Sequence, residues 1–254
     1  MVLTVDVGNT NVMLGGFDGD RLSFVASMST AACETADEYG AKLLAILALH
    51  GVERSDIDGA ILSSVVPQLN SVIKEAIEFL YGITPILVGP GIKTGIGIRC
   101  DTPSSVGSDL IAASVAASSI YKVPAIIVDM GTATKLTVVN EQGAFVGVSI
   151  LPGVLMGMNA LSENTAQLPK VSLEAPPSVI GKNTVDSIRS GIIFGGAATV
   201  DGMIDRIFRE LGGEIPVYAT GGLASIIIPH CYHEITLDEH LVLKGLNVLY
   251  KRNK

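Results

Sequence analysis

One pattern, Asp-x-Gly followed within a few positions by a small hydroxyl or amide, occurs twice in this chain. It appears as Asp6-Val7-Gly8-Asn9-Thr10-Asn11 and again as Asp129-Met130-Gly131-Thr132-Ala133, 129 − 6 = 123 positions later. Each copy closes a run of β-favouring residues, Val2-Leu3-Thr4-Val5 in one case and Ala125-Ile126-Ile127-Val128 in the other. An Asp at the end of a buried strand can hold a hydrated cation. The Gly after it lets the following turn bring backbone N–H groups against phosphate oxygens. Either tripeptide alone also makes an ordinary hairpin turn. A third glycine turn, Thr220-Gly221-Gly222-Leu223, follows the short strand Ile215-Pro216-Val217-Tyr218 and suits close approach of a flat nucleoside to bare backbone. Together the three turns predict two similar lobes that clamp a nucleoside triphosphate.

The 254 residues suffice for two such lobes, and 48% apolar with 17% charged residues is enough for a sizeable core. A formal charge of −8 excludes nucleic acid and anionic membrane as main partners, since both need a concentrated basic surface. No apolar stretch approaches the roughly 18–20 residues of a membrane span. Asp6 lies where the apolar centre of a signal peptide would be, so the expected location is cytoplasmic. Cys33, Cys100 and Cys231, odd in number and widely spaced, fit reduced thiols.

Strand and helix signals alternate along the chain, which predicts an α/β fold with sheets flanked by helices. After the first strand, Gly15-Gly16-Phe17-Asp18-Gly19 reads as a hairpin. Thr35-Ala36-Asp37-Glu38 reads as a capping box that starts a helix with Tyr39, Leu43, Leu44 and Leu47 facing the core. Residues 89–107 form the main irregular stretch and look like a substrate-facing loop. Ser108-Asp109 then opens an alanine-rich helix, and the expected division is residues 1–115 and 116–254. Pro152-Gly153 starts a helix whose Met156 and Met158 are expected to pack inward. Long helices from Val185 towards Leu211 and from Asp238 to Tyr250 flank the strand at 215–219.

Asp109 admits two readings. At a helix start it is favoured by the dipole and by free N–H groups, as a plain cap. As a base, it would orient a substrate hydroxyl towards the γ-phosphate, since phosphoryl transfer depends mostly on positioning. His230-Cys231-Tyr232-His233 is either a surface turn after Pro229 or part of a metal site, without a second ligand cluster to close it.

With these motifs in view, the whole chain resembles the type III pantothenate kinases, of the sugar-kinase, chaperone and actin superfamily. The residues that carry the resemblance run in order: Asp6 to Asn11, Ser63-Ser64-Val65-Val66-Pro67, Gly89-Pro90-Gly91-Ile92-Lys93-Thr94-Gly95, Val106-Gly107-Ser108-Asp109, Asp129 to Thr134, Gly181-Lys182-Asn183-Thr184, and Thr220-Gly221-Gly222-Leu223-Ala224. The resemblance implies a duplicated, two-lobed actin-like (ribonuclease H-like) ATPase fold. It also implies a homodimer that phosphorylates pantothenate with ATP, Mg²⁺ and a monovalent cation, K⁺ or NH₄⁺, at the first step of coenzyme A synthesis. By position, Asp6 works with the divalent cation, and Val7, Gly8, Asn9, Thr10 and Asn11 with the phosphates. Asp109 is then the proton acceptor, Asp129 binds the monovalent cation, Thr132 the phosphates, and Gly221 and Gly222 the nucleoside. Cys100, Gly107, Ser108, Leu110 and Thr184 fall on the pantothenate side.

Departures from the family pattern gather on that acceptor side. Thr102 replaces an Asn, Cys100 an aromatic residue, Leu110 an Arg, and Val148 a Gly, while Lys135 stands where a hydroxyl or small residue is common. Loss of an Arg that bonds a polar substrate removes about 1.5–3 kcal/mol. Lys135 is expected to return a positive charge, without the planar Arg fork. The cluster leaves open a kinase for a different hydroxyl acceptor, or a catalytically weak nucleotide-binding paralogue with a regulatory role.

Overall fold

The computed structural model describes all 254 residues. The chain divides into two compact units, Met1–Tyr121 with Leu241–Lys254, and Lys122–His240. In the first unit, β1 (Val2–Val7), β2 (Asn11–Asp18) and β3 (Arg21–Ser29) form an antiparallel meander, followed by α1 (Ala36–Leu49), β4 (Gly59–Ser64), α2 (Leu69–Tyr81), β5 (Ile86–Leu87) and α3 (Ser108–Ile120). Its sheet runs β3-β2-β1-β4-β5, with β4 parallel to β1 and β5 parallel to β4.

The second unit repeats this plan. Its strands β6 (Ala125–Met130), β7 (Ala133–Val139) and β8 (Phe145–Pro152) again make the meander, and α4 (Val154–Glu163), α5 (Thr184–Leu211), β9 (Val217–Thr220), α6 (Ala224–Ile227) and β10 (Thr236–Leu237) follow. The order β8-β7-β6-β9-β10 matches the first sheet strand for strand, with β9 parallel to β6 and β10 parallel to β9. The central strands are almost fully buried: Leu3, Val5 and Val7 in β1, and Ile126, Ile127 and Val128 in β6. Two mixed sheets flanked by helices are the architecture expected from the duplicated motif.

The last helix, α7 (Leu241–Asn253), belongs to the first unit, so the chain divides after Tyr121 and returns at Leu241 instead of splitting once near residue 115. The cause is apolar packing. Leu243, Leu246, Leu249 and Tyr250 of α7 share a core cluster with Phe17, Ile61, Ile111 and Val115. The helix approaches so closely that a Cβ on Gly245 would lie 1.9 Å from the Ala112 carbonyl oxygen. Asn247 donates to the Gly19 carbonyl at 2.9 Å, and Asn253 exchanges hydrogen bonds with the Lys93 backbone.

Side-chain caps start α1 and α5. The capping box at α1 forms in full, Thr35 accepting from the Glu38 N–H and Glu38 from the Thr35 N–H. Tyr39, Leu43 and Leu47 are buried as expected, but Leu44 is 43% exposed and lies off the stripe. Gly15 and Gly16 lie inside β2 and not in a turn. A Cβ there would meet Thr4 Oγ1 at 2.8 Å and the Phe24 ring at 2.1 Å, so these glycines admit neighbouring side chains across the sheet. The hairpin turn is Gly19-Asp20. Helix α4 buries Val154 alone, and Met156 is 50% exposed, contrary to the inward packing expected of it.

Candidate functional site

The first unit places its chemistry at the C-terminal ends of β1 and β4. After Val7, fully buried, the chain turns through Gly8 to Asn11, with the Gly8 N–H donating to the Asn11 carbonyl at 2.9 Å. This turn is held by the end of β3. The Thr30 hydroxyl donates to the Gly8 carbonyl at 2.7 Å, and the Thr30 N–H to the Thr10 carbonyl at 2.9 Å. Those bonds occupy carbonyls, while Asn9, Thr10 and Asn11 remain exposed on the outer side of the turn. A rigid turn with exposed amide and hydroxyl groups, next to the Asp6 carboxylate, suits a phosphate carrying a divalent cation.

Asp109 reaches the same strand ends through a latch of serines. In the parallel register Asp6 pairs with Ser63. The Ser63 hydroxyl donates to Ser108 Oγ at 3.0 Å, the Ser64 N–H donates to the same oxygen at 3.0 Å, and Ser108 returns a bond to the Ser64 carbonyl at 3.0 Å. Ser108 is 8% exposed, so three bonds in a protected setting fix the start of α3 against β4. Gly107 is the N-cap of α3 and Asp109 its second helical residue, so Asp109 is not the cap. One carboxylate oxygen accepts from the Leu110 N–H at 2.9 Å, and a Cβ on Gly107 would lie 2.5 Å from it. Leu110 is 7% exposed. Cys100 is half-buried, in the irregular segment before α3.

The second unit builds a tighter version. Asp129 is the penultimate residue of β6, the Gly131 N–H donates to the Ala133 carbonyl at 3.2 Å, and Thr132 is exposed at the tip. Gly153 sits beneath this turn. A Cβ on it would overlap the Thr132 carbonyl oxygen at 2.0 Å and lie 2.9 Å from that of Gly131. The third turn also packs here, since β9 runs parallel to β6 with Thr220 opposite Asp129. Gly221, at φ +93°, would place a Cβ 2.7 Å from an Asp129 carboxylate oxygen, a position that glycine alone fits. Gly222 is exposed beside it.

Lys135 lies directly across the β6–β7 hairpin from Asp129, and its ammonium is 2.7 Å from the carboxylate. The positive charge expected to serve the acceptor side is therefore engaged at Asp129. Thr184 is the exposed first residue of α5, whose N-cap Asn183 accepts from the Asp186 N–H at 2.9 Å. Behind the second turn, between β7, β8, α4 and α5, lies a cavity of about 310 Å³ whose lining joins Gly153, Gly157, Gly191, Gly195 and Gly196 to apolar side chains such as Leu136 and Val200.

The His230–His233 segment is organised by Asp201, whose carboxylate accepts the N–H groups of Tyr232 at 2.9 Å and His233 at 3.2 Å. His233 Nε2 contacts Asp205 at 3.0 Å. Burial, and secondarily the Asp201 charge, push the Cys231 thiol up to about 12. Sequence reasoning missed the Ser63–Ser108 latch, the Thr30 support and the place of Gly153. Each depends on contacts between distant segments, which motif spacing does not encode.

Comparison with known proteins adds to this geometry. Solved structures with the same fold include the activator of 2-hydroxyisocaproyl-CoA dehydratase from Clostridium difficile with bound ADPNP, at TM-score 0.60 and 14% identity over 99% of this chain and 93% of that one. The inorganic polyphosphate/ATP-glucomannokinase of an Arthrobacter strain follows at TM-score 0.52 and 12% identity over 98% of both chains. At these identities they establish the fold alone. In sequence, the chain is 42% identical to a type III pantothenate kinase of Moorella thermoacetica and 41% identical to one of an Exiguobacterium strain, each over 100% of both chains. A third, from Citrifermentans bemidjiense, is 43% identical, also over 100% of both. The type III pantothenate kinase family model matches residues 2–206. The protein therefore belongs to the type III pantothenate kinase family.

Proposed function

We propose that this chain transfers the γ-phosphoryl group of ATP to the terminal hydroxyl of pantothenate, giving 4′-phosphopantothenate for coenzyme A synthesis. Family membership and full-length relatives of that name support the reading. The observation that carries it at residue level is the Ser63–Ser108 latch, which sets Asp109 at the same strand ends as Asp6. In this reading Asp109 accepts the hydroxyl proton as the alkoxide oxygen bonds to the γ-phosphorus and ADP departs. Exposed Asn9, Thr10, Asn11 and Thr132 bind phosphate, and the Gly221-Gly222 turn lies along the nucleoside. Cys100, Gly107, Leu110 and Thr184 serve the pantothenate side.

Asp6, at the first turn, is the residue to hold Mg²⁺, which neutralises phosphate charge when bound. The monovalent cation that the family resemblance attaches to Asp129 would have to share that carboxylate with the Lys135 ammonium. Exposed Leu155 and Met156, adjacent on α4, offer apolar surface for a second copy, in line with a homodimer. No helix is long and apolar enough to cross a membrane, and the free thiols at Cys33, Cys100 and Cys231 suit the cytoplasm.

The test is mass spectrometry for 4′-phosphopantothenate after incubation with ATP, Mg²⁺, K⁺ and pantothenate. Asp109→Asn is expected to lower turnover by about 10²–10⁴-fold while ATP binding persists. Unchanged turnover in that variant would remove Asp109 from the mechanism, and ATP binding without product in the parent chain would overturn pantothenate as the acceptor.

A further inference from the structure

A carboxylate three residues before a phosphate-binding Thr repels the ligand that the turn is built to hold, so Asp129 needs a positive charge beside it. The chain provides one. Asp129 and Lys135 are directly opposed in the antiparallel β6–β7 register, which places both side chains on one face of the sheet. Their 2.7 Å separation is at the short end for a charge-assisted hydrogen bond. Neither end is loosely solvated, the side chains being 14% exposed at Asp129 and 16% at Lys135.

The third turn confines the carboxylate further. Gly221 passes over the carboxylate on another side, close enough that a Cβ would stand 2.7 Å from Asp129 Oδ1, while the ammonium holds Oδ2. An alkylammonium carries the same single charge as NH₄⁺ and the same kind of N–H donor, with one hydrogen replaced by the lysine stem. A free monovalent ion at Oδ2 would either displace the ammonium from a protected pair or sit against a like charge, and both are unfavourable. At the equivalent place in the first unit, Asp6 is opposed by Met13, which brings no charge.

We propose that the Lys135 ammonium is the built-in monovalent cation of the second phosphate turn, so that this chain binds and uses ATP without K⁺ or NH₄⁺. The proposal rests on the reading of the turns as an ATP site, and its test separates the two. ATP affinity is measured by calorimetry in Mg²⁺ at constant ionic strength, with K⁺ replacing tetramethylammonium, for the parent chain and Lys135→Thr.

The parent chain is expected to keep its affinity within about twofold across the series. Lys135→Thr should bind ATP about tenfold or more weakly in tetramethylammonium and recover in K⁺ or NH₄⁺, a rescue that a merely structural lysine would not produce. An affinity in the parent chain that rises about tenfold with K⁺ overturns the proposal and leaves the kinase reading intact; the same holds if Lys135→Thr binds ATP normally without K⁺. Should the variant fail to fold, the parent titration alone decides. Absence of ATP binding in every salt, with the fold intact by circular dichroism, overturns the kinase reading and this proposal with it.

Discussion

The two Asp-x-Gly turns share a sheet order, yet they differ by one residue in hairpin length and in what stands behind and opposite each Asp. Asp6 faces Met13 across its hairpin and is followed by a turn that Thr30 supports from the side. Asp129 faces Lys135, and its turn is wedged between Gly153 below and Gly221 alongside. One sheet plan thus occurs twice, and the residue across each hairpin from the Asp differs, Met13 in the first unit and Lys135 in the second. In the proposed reading the first Asp holds the divalent cation, and the second is served by the Lys135 ammonium.

That comparison breaks most readily at the packed side of the second turn. Gly153→Ala puts a Cβ 2.0 Å from a backbone oxygen that cannot give way without moving Thr132. About 3 kcal/mol of stability should be lost, with ATP affinity falling about tenfold or more. Calorimetry and thermal melting check this. Gly8→Ala, whose Cβ would meet the Asn11 carbonyl oxygen at 3.0 Å, should cost less than about 1 kcal/mol. Equal effects from the two variants would remove the asymmetry.

The acceptor end of the first unit gives the next effect. Leu110 departs from the family's Arg, and restoring the family pattern by Leu110→Arg places a guanidinium where the present side chain is 7% exposed. Loss of that apolar burial should cost about 2 kcal/mol, so the melting temperature falls even if the new charge favours pantothenate. A variant as stable as the parent would mean that the site already accommodates the charge.

A smaller effect confined to the first unit sharpens the same contrast. The Thr35 backbone N–H, and then its hydroxyl, hold the Glu38 carboxyl below its usual value of 4.5. A depressed carboxyl stabilises the folded state above its unfolded pKa, and that contribution is lost as pH falls through the folded value. Glu38→Gln should melt slightly below the parent at neutral pH, with the gap closing below pH 4.5 and ATP affinity unaffected.

Much of the fold was legible because it is written locally. The repeated Asp-x-Gly, the Thr35–Glu38 box and the runs of β-branched residues each fix a nearby backbone, and duplication of the motif implied duplication of the sheet. What escaped was set by distant packing. Gly15 and Gly16 carry the composition of a turn, but Thr4 and Phe24 claim the space beside them in the sheet. Nothing in the amphipathic pattern of α7 says which core it joins; its approach to Ala112 and to Gly59, where a Cβ would overlap Tyr250, decides that. Lys135 was legible as a departure, though not its partner, because pairing with Asp129 depends on the hairpin register.

The measurement that tests the division of labour most directly is the Mg²⁺ dependence of ATP binding in Asp6→Asn and Asp129→Asn, each against the parent chain. The account predicts that the Mg²⁺ concentration for half-maximal binding rises about tenfold or more in Asp6→Asn and stays within about twofold in Asp129→Asn. Equal shifts in both variants, or a larger one at Asp129, would contradict it.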